Sequence, residues 1–250
     1  MLPKSEIHLL LEKILQNTES YKMNRASGTD VLSLRVLSAA IFTLSKDALY
    51  AIEQNHTFTA CSLTCLVIEA QIQLLCIDKL YNTKGKDYYE FAFVEQLHSL
   101  PINPDWQEKT LQRMKDYKCE RFYNGKNANL SDIKSYHNHW YQSFAHKISD
   151  LSDIAFPHLK ELLSSIRLNV LDEYKNFNVL HENYKTMCSF KHFSPFIVGN
   201  AFRVQSAFTE DSPKGYNIMV VNCLYIAVLS AILILNKHGE NISLEHCLPK

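Results

Sequence analysis

The sequence predicts an all-α protein: a single-domain bundle of about nine helices over residues 1–250, with a buried C-terminal helix. Three observations predict it. Apolar residues recur at three- and four-residue spacing along most of the chain, and nothing alternates with the period of two of a half-buried strand. Gly and Pro number only six and seven in 250 residues, which suits long helices joined by short loops. The run 218–235, IMVVNCLYIAVLSAILIL, is apolar on every side, with Asn222 and Ser230 its most polar members, so it belongs in an interior.

Taken in order, Ile7, Leu10, Leu11, Ile14 and Leu15 mark a first amphipathic helix, with Ser5 as its cap. A second helix over 29–55 carries Leu32, Val36, Leu37, Ala40, Ile41, Leu44, Ala48 and Ile52 on one face. Arg35, Lys46 and Glu53 stand on the opposite face. The third, over 57–81, is apolar nearly all round; Gln71 and Gln73 reach toward an edge, whereas Glu69, directly after Leu66-Val67-Ile68, points inward. Shorter helices follow over 87–99 and 105–120, the latter opened by the capping box Asp105-Trp-Gln-Glu108. The polar stretch 122–129 around Gly125 is a loop. A helix rich in aromatics and His occupies 132–150, then helices follow over 157–176 and 179–192, and Ser194-Pro195 caps the next. Ser212-Pro213 opens the last helix, while Lys237, His238 and Gly239 close it with positive charge and a left-handed cap.

Composition bounds the function. Lys+Arg and Asp+Glu are equal at 26 each, so no overall charge draws the chain to nucleic acid or anionic lipid. The stripe Lys109, Arg113, Lys115, Lys118 and Arg121 is interleaved with Asp116 and Glu120, as on a solvated helix face. Of the seven Cys, five (Cys61, Cys65, Cys76, Cys188, Cys223) lie in apolar surroundings, as reduced buried thiols do. The amphipathic start is not a signal peptide, which points to the cytoplasm. The 18 residues of 218–235 would span about 27 Å as a helix, just short of a bilayer core. With Asn222 inside the run and no second comparable segment, a buried core helix is expected rather than a membrane anchor.

Chemistry concentrates in one constellation. Tyr184, Cys188 and His192 recur at spacings of four on one helix and, facing Glu69, would bring a carboxylate, a phenol and an imidazole together. Such a cluster serves acid–base work, holds a small polar ligand, or fixes helix packing as a buried network. Six of the eleven His fall between 137 and 192, yet the helical metal signature of two His four apart with a Glu between is absent. No phosphate loop or nucleophile elbow appears, so neither a metal nor a cofactor is expected.

The segments SLTCLVIEAQIQLLCID around Glu69, NHWYQSFAHKISDLSD around Trp140 and ENYKTMCSFKHFSP around Tyr184 and His192 stand in an order that resembles a bacterial family of helical domains of unestablished function. Their motifs are an interior Glu, a Trp, then Tyr-x3-Ser-x3-His. The resemblance covers about residues 50–205 and implies a polar pocket lined by Glu69, Trp140, Tyr184, Cys188 and His192. Cys65 stands where such proteins have Arg and Cys188 where they have Ser, so Cys65 and Cys188 are expected to be neighbours. The architecture is also similar to HEPN-type domains, but no Arg here has a His five to seven residues later, as their RNase motif requires. The reading is an uncharacterised bacterial or phage protein with a ligand-binding or accessory role, connected by the HEPN-like analogy with phage defence and taking a small polar ligand or a protein partner. The alternatives are an enzyme using Glu69, Tyr184 and His192, and a membrane-associated protein.

Overall fold

Six helices and no strand make up the described residues of the computed structural model, which are 5–19, 29–80, 105, 108–109, 112, 148–164, 177–192 and 212–243. The helices are α1 (Glu6–Glu19), α2 (Thr29–Glu53), α3 (Thr57–Lys79), α4 (Ile148–Ser164), α5 (Phe177–Lys191) and α6 (Ser212–Lys237). The chain is all-helical there. Asp105, Glu108, Lys109 and Gln112 are also helical. The expected helix over 87–99, the loop over 122–129, Trp140 and most of the His-rich segment lie outside the described residues.

Local chemistry sets the ends. Ser5 Oγ accepts the His8 backbone N–H at 3.2 Å, the capping bond expected of it. Asn55, in the left-handed region at φ 59°, stops α2. The N–H groups of Asn55 and His56 turn back to the carbonyls of Ile52 and Ala51, at 2.9 and 2.7 Å. This is a Schellman cap, and α3 starts one residue after it. Gly239, at φ 94°, ends α6 in the same way, with Gly239 N–H on the Asn236 carbonyl and Glu240 N–H on that of Leu235, both at 3.1 Å.

The packing has two interior helices. α6 touches each of the other five, and α3 packs against α2, α4, α5 and α6. Nearly every side chain of α6 from Val220 to Leu235 is buried. Each large aliphatic among them contributes about 1.5–3 kcal/mol by leaving water. α3 is buried on most of its circumference, which is why its apolar residues show no single stripe. Contrary to the expectation of one apolar segment, both Thr57–Lys79 and Gly215–Lys237 are long and apolar enough to cross a membrane. In each the most apolar window is mostly covered by protein, 67% and 78% respectively, as core helices are.

Four positions depart from the pattern in the sequence. Arg35, assigned to the outer face of α2, is buried and ion-paired with Glu240, while Val36, assigned to the core, is 43% exposed. The pairing partner lies 205 residues away, just past the Gly239 cap. Gln71 does not reach an edge: it is buried, and its Nε2 donates to Ser230 Oγ of α6 at 3.1 Å. Pro157 does not begin a helix but sits inside α4, which starts at Ile148. A proline in a helix interior costs about 3 kcal/mol. Burial of Ala155, Phe156, Leu159 and Leu163 around it offsets that cost, and Pro157 itself faces solvent.

Candidate functional site

α3 and α5 meet along one seam, and the candidate cluster lies on it. From α3 come Cys65 and Glu69, one turn apart and so on one face; from α5 come Tyr184, Cys188 and Lys191. The Tyr184 hydroxyl donates to Glu69 Oε1 at 3.2 Å. The Lys191 ammonium donates to both oxygens, at 2.7 Å to Oε1 and 2.6 Å to Oε2. The sulfurs of Cys65 and Cys188 are 3.3 Å apart, and Cys65 Sγ is 3.9 Å from Glu69 Oε1. Phe190 flanks the seam, edge-on to Phe58 and Tyr216, which fixes the approach of α5.

Glu69, Tyr184 and Cys188 are therefore brought together, and Cys65 joins Cys188 as the motif comparison implied. His192 is not part of the cluster. It follows the end of α5 with its ring exposed, and its backbone N–H donates to the Cys188 carbonyl at 2.9 Å. The reason is angular. On a helix of 3.6 residues per turn, eight residues drift roughly 80° from the starting face, whereas seven drift only about 20°. The stripe that begins Tyr184, Cys188 continues at Lys191, the cation that the spacing of four overlooked. Nor is Glu69 wholly interior. Its side chain is 18% exposed and that of Lys191 28%, so the ion pair borders solvent.

The electrostatics follow from this half-burial. Burial pushes the Cys65 thiol well above its ordinary range, helped by its hydrogen bond to Cys188 and the negative charge of Glu69 and opposed by Lys191. Tyr184 is raised by burial first, then by its hydrogen bond to Cys188 and the charge of Glu69. Away from the seam, burial pushes Cys61, Cys76 and Cys223 up to about 12. Both thiols of the pair are free.

No protein-family model, curated protein or solved structure matches this sequence.

A second polar cluster was not foreseen. Asp78, at the C-terminal end of α3, has a side chain with 0% exposure. Its Oδ2 meets His158 Nε2 of α4 at 2.5 Å and its Oδ1 meets His238 Nε2 at 2.6 Å. Lys237 Nζ donates to both oxygens, at 3.0 and 2.9 Å. Burial alone would raise the Asp78 carboxyl, but the hydrogen bonds from His158, His238 and Lys237 hold it well below the usual carboxylate range. His158 Nδ1 faces Glu161 Oε2 at 3.3 Å, so both ring nitrogens look at carboxylates. The knot binds the ends of α3 and α6 to α4. Its sequence signal was faint: Lys237 and His238 read equally well as charges closing a helix, and Asp78 as the end of one.

Proposed function

We propose that the chain is a cytoplasmic, ligand-binding or accessory protein, a single-domain bundle of about nine helices whose α3–α5 seam is the binding element. The observation that carries this reading is the clamp of Lys191 on both oxygens of Glu69, with Tyr184 on the same carboxylate. A general base needs a lone pair free for the substrate's proton, and a general acid–base pair needs its imidazole within reach. Glu69 is already neutralised and His192 stands outside the cluster, so binding is favoured over acid–base catalysis. Burial of both membrane-length helices supports a water-soluble protein. A bacterial or phage origin, a HEPN-like fold and a part in phage defence rest on the motif order and the architectural analogy alone.

The test is thermal melting of the reduced protein against a panel of small anions, cations and metabolites, with Glu69→Gln alongside. The variant should lose about 1–2 kcal/mol, less than a buried ion pair would, because solvent reaches both partners. At least one compound should raise the melting temperature of the parent and leave that of the variant unmoved. If every compound shifts both proteins alike, the seam is packing and the reading is wrong.

A further inference from the structure

We propose that Cys65, Glu69 and Cys188 form a binding site for a soft divalent cation, with zinc(II) the best match to the ligand set. This rests on the reading of the seam as a ligand site and names the ligand.

Two groups of three metal-ligating side chains occur among the described residues, each with its donor atoms within 4.8 Å of one another. His8, Glu12 and Glu53 present one imidazole and two carboxylates, with Glu53 exposed. The seam presents two sulfurs and one oxygen, a soft set that selects zinc over magnesium or calcium. Its dimensions are those of a tetrahedral site. Zn–S bonds of about 2.3 Å and Zn–O bonds of about 2.0–2.2 Å place ligand atoms about 3.5–3.8 Å apart along tetrahedral edges. The sulfurs are 3.3 Å apart, Cys65 Sγ is 3.9 Å from Glu69 Oε1, and all three donors lie within 4.8 Å of one another, so a cation enters once the side chains adjust, by about half an ångström along the first two edges. Cys65 and Glu69 sit one turn apart on a single helix, a chelating pair held by backbone geometry, and α5 supplies the third donor.

Oε1 of Glu69 faces the Cys65 sulfur and Tyr184, and Lys191 bridges both carboxylate oxygens, at 2.7 Å to Oε1 and 2.6 Å to Oε2. For Oε1 to become the metal ligand the cation takes the place of the Lys191 bond there, and Lys191 retained on Oε2 orients the carboxylate as outer-sphere partners do. Charge closes as well. Two thiolates and a carboxylate against a divalent ion leave one negative charge, which the Lys191 ammonium cancels in a half-buried place where an uncompensated charge is expensive. On binding, each thiol gives up its proton to solvent as its sulfur lone pair forms the metal bond, so two protons are released per ion.

The experiment titrates the full, reduced, metal-free chain with cobalt(II) and then zinc(II), following absorption and proton release. One equivalent of cobalt should give the visible bands of a tetrahedral ion and a thiolate-to-cobalt charge-transfer band, and zinc should displace it. Two protons should appear per ion. Cys188→Ser, on the half-buried side, should abolish the charge-transfer band or weaken binding at least 100-fold while the helical circular dichroism is kept. Glu69→Gln should weaken binding and retain the thiolate signal, a split that a purely structural glutamate would not produce. Cobalt bands that persist in both Cys65→Ser and Cys188→Ser would place the metal on other cysteines and overturn the proposal. So would a reduced protein that takes up neither ion, including one that instead closes a Cys65–Cys188 disulfide in air. Failure here, with another compound still stabilising the parent through Glu69, would sink the metal and leave the binding seam.

Discussion

Replacing Asp78 by Asn removes one charge and almost no volume from the knot that joins α3, α4 and α6. The side chain is fully buried, so its charged hydrogen bonds count at nearly full strength. Those from His158 and His238 are worth about 1.5–3 kcal/mol each, as bonds to a charged group. Lys237 is 49% exposed and adds about 0–1 kcal/mol after screening by water. The contributions overlap, because one carboxylate serves all three. The loss at pH 7 should therefore be about 3–5 kcal/mol, the range for breaking a buried pair. At about 2–4 °C per kcal/mol for a chain of this size, the melting temperature should fall roughly 6–20 °C. The acid limb gives a second reading. The native carboxyl is held below its ordinary value of 3.8, so below about pH 4 the unfolded chain takes up a proton that the native state refuses. The stabilisation is present in full above that pH and is lost as pH falls through the native value. Calorimetry of parent and Asp78→Asn from pH 7 to 3 should thus show the gap between the two melting curves narrowing below about pH 4 without closing. A loss under about 1 kcal/mol at neutral pH, or a gap that stays constant down to pH 3, would refute the reasoning.

Gly239→Ala tests the cap of α6. A methyl group at this position meets nothing within 4 Å, so the backbone at φ 94° bears the whole effect. Denaturant titration should show a loss of about 1–2 kcal/mol, and a loss below 0.5 kcal/mol, on the same roughly estimated scale, would mean the cap is not held left-handed. The buried bond between Gln71 and Ser230 calls for a double-mutant cycle. Ser230→Ala alone should cost about 1–3 kcal/mol by orphaning the amide, whereas adding Gln71→Met should restore much of it; additive losses would show that the two side chains do not interact.

What the residues disclosed in advance was whatever depends on neighbours in sequence. The stripes of α1, the Ser5 cap and the left-handed Gly239 are local properties, and each is found where the pattern puts it. The encounter of Glu69 with Tyr184 and Cys188 was legible as a condition, since the one-turn spacing put Tyr184 and Cys188 on one stripe and only its facing Glu69 had to be supposed. What stayed hidden were buried charges. Whether Arg35 faces water depends on a glutamate 205 residues on, and whether Asp78 does depends on a histidine 160 residues on. Periodicity gives such residues to the outside by default. Pro157 failed for the opposite reason: a strong local rule was overridden by the burial of its neighbours in α4.

The order of the helices in the chain has a consequence for synthesis. α6 contributes the middle of the interior and leaves the ribosome after α1 to α5, so those helices emerge with no partner for much of their apolar surface. α1, whose main neighbour is α6, waits longest, and the face of α3 that packs on α6 waits with it. Until residue 235 is free, the nascent chain is therefore a client for whatever shields greasy helices in its cell.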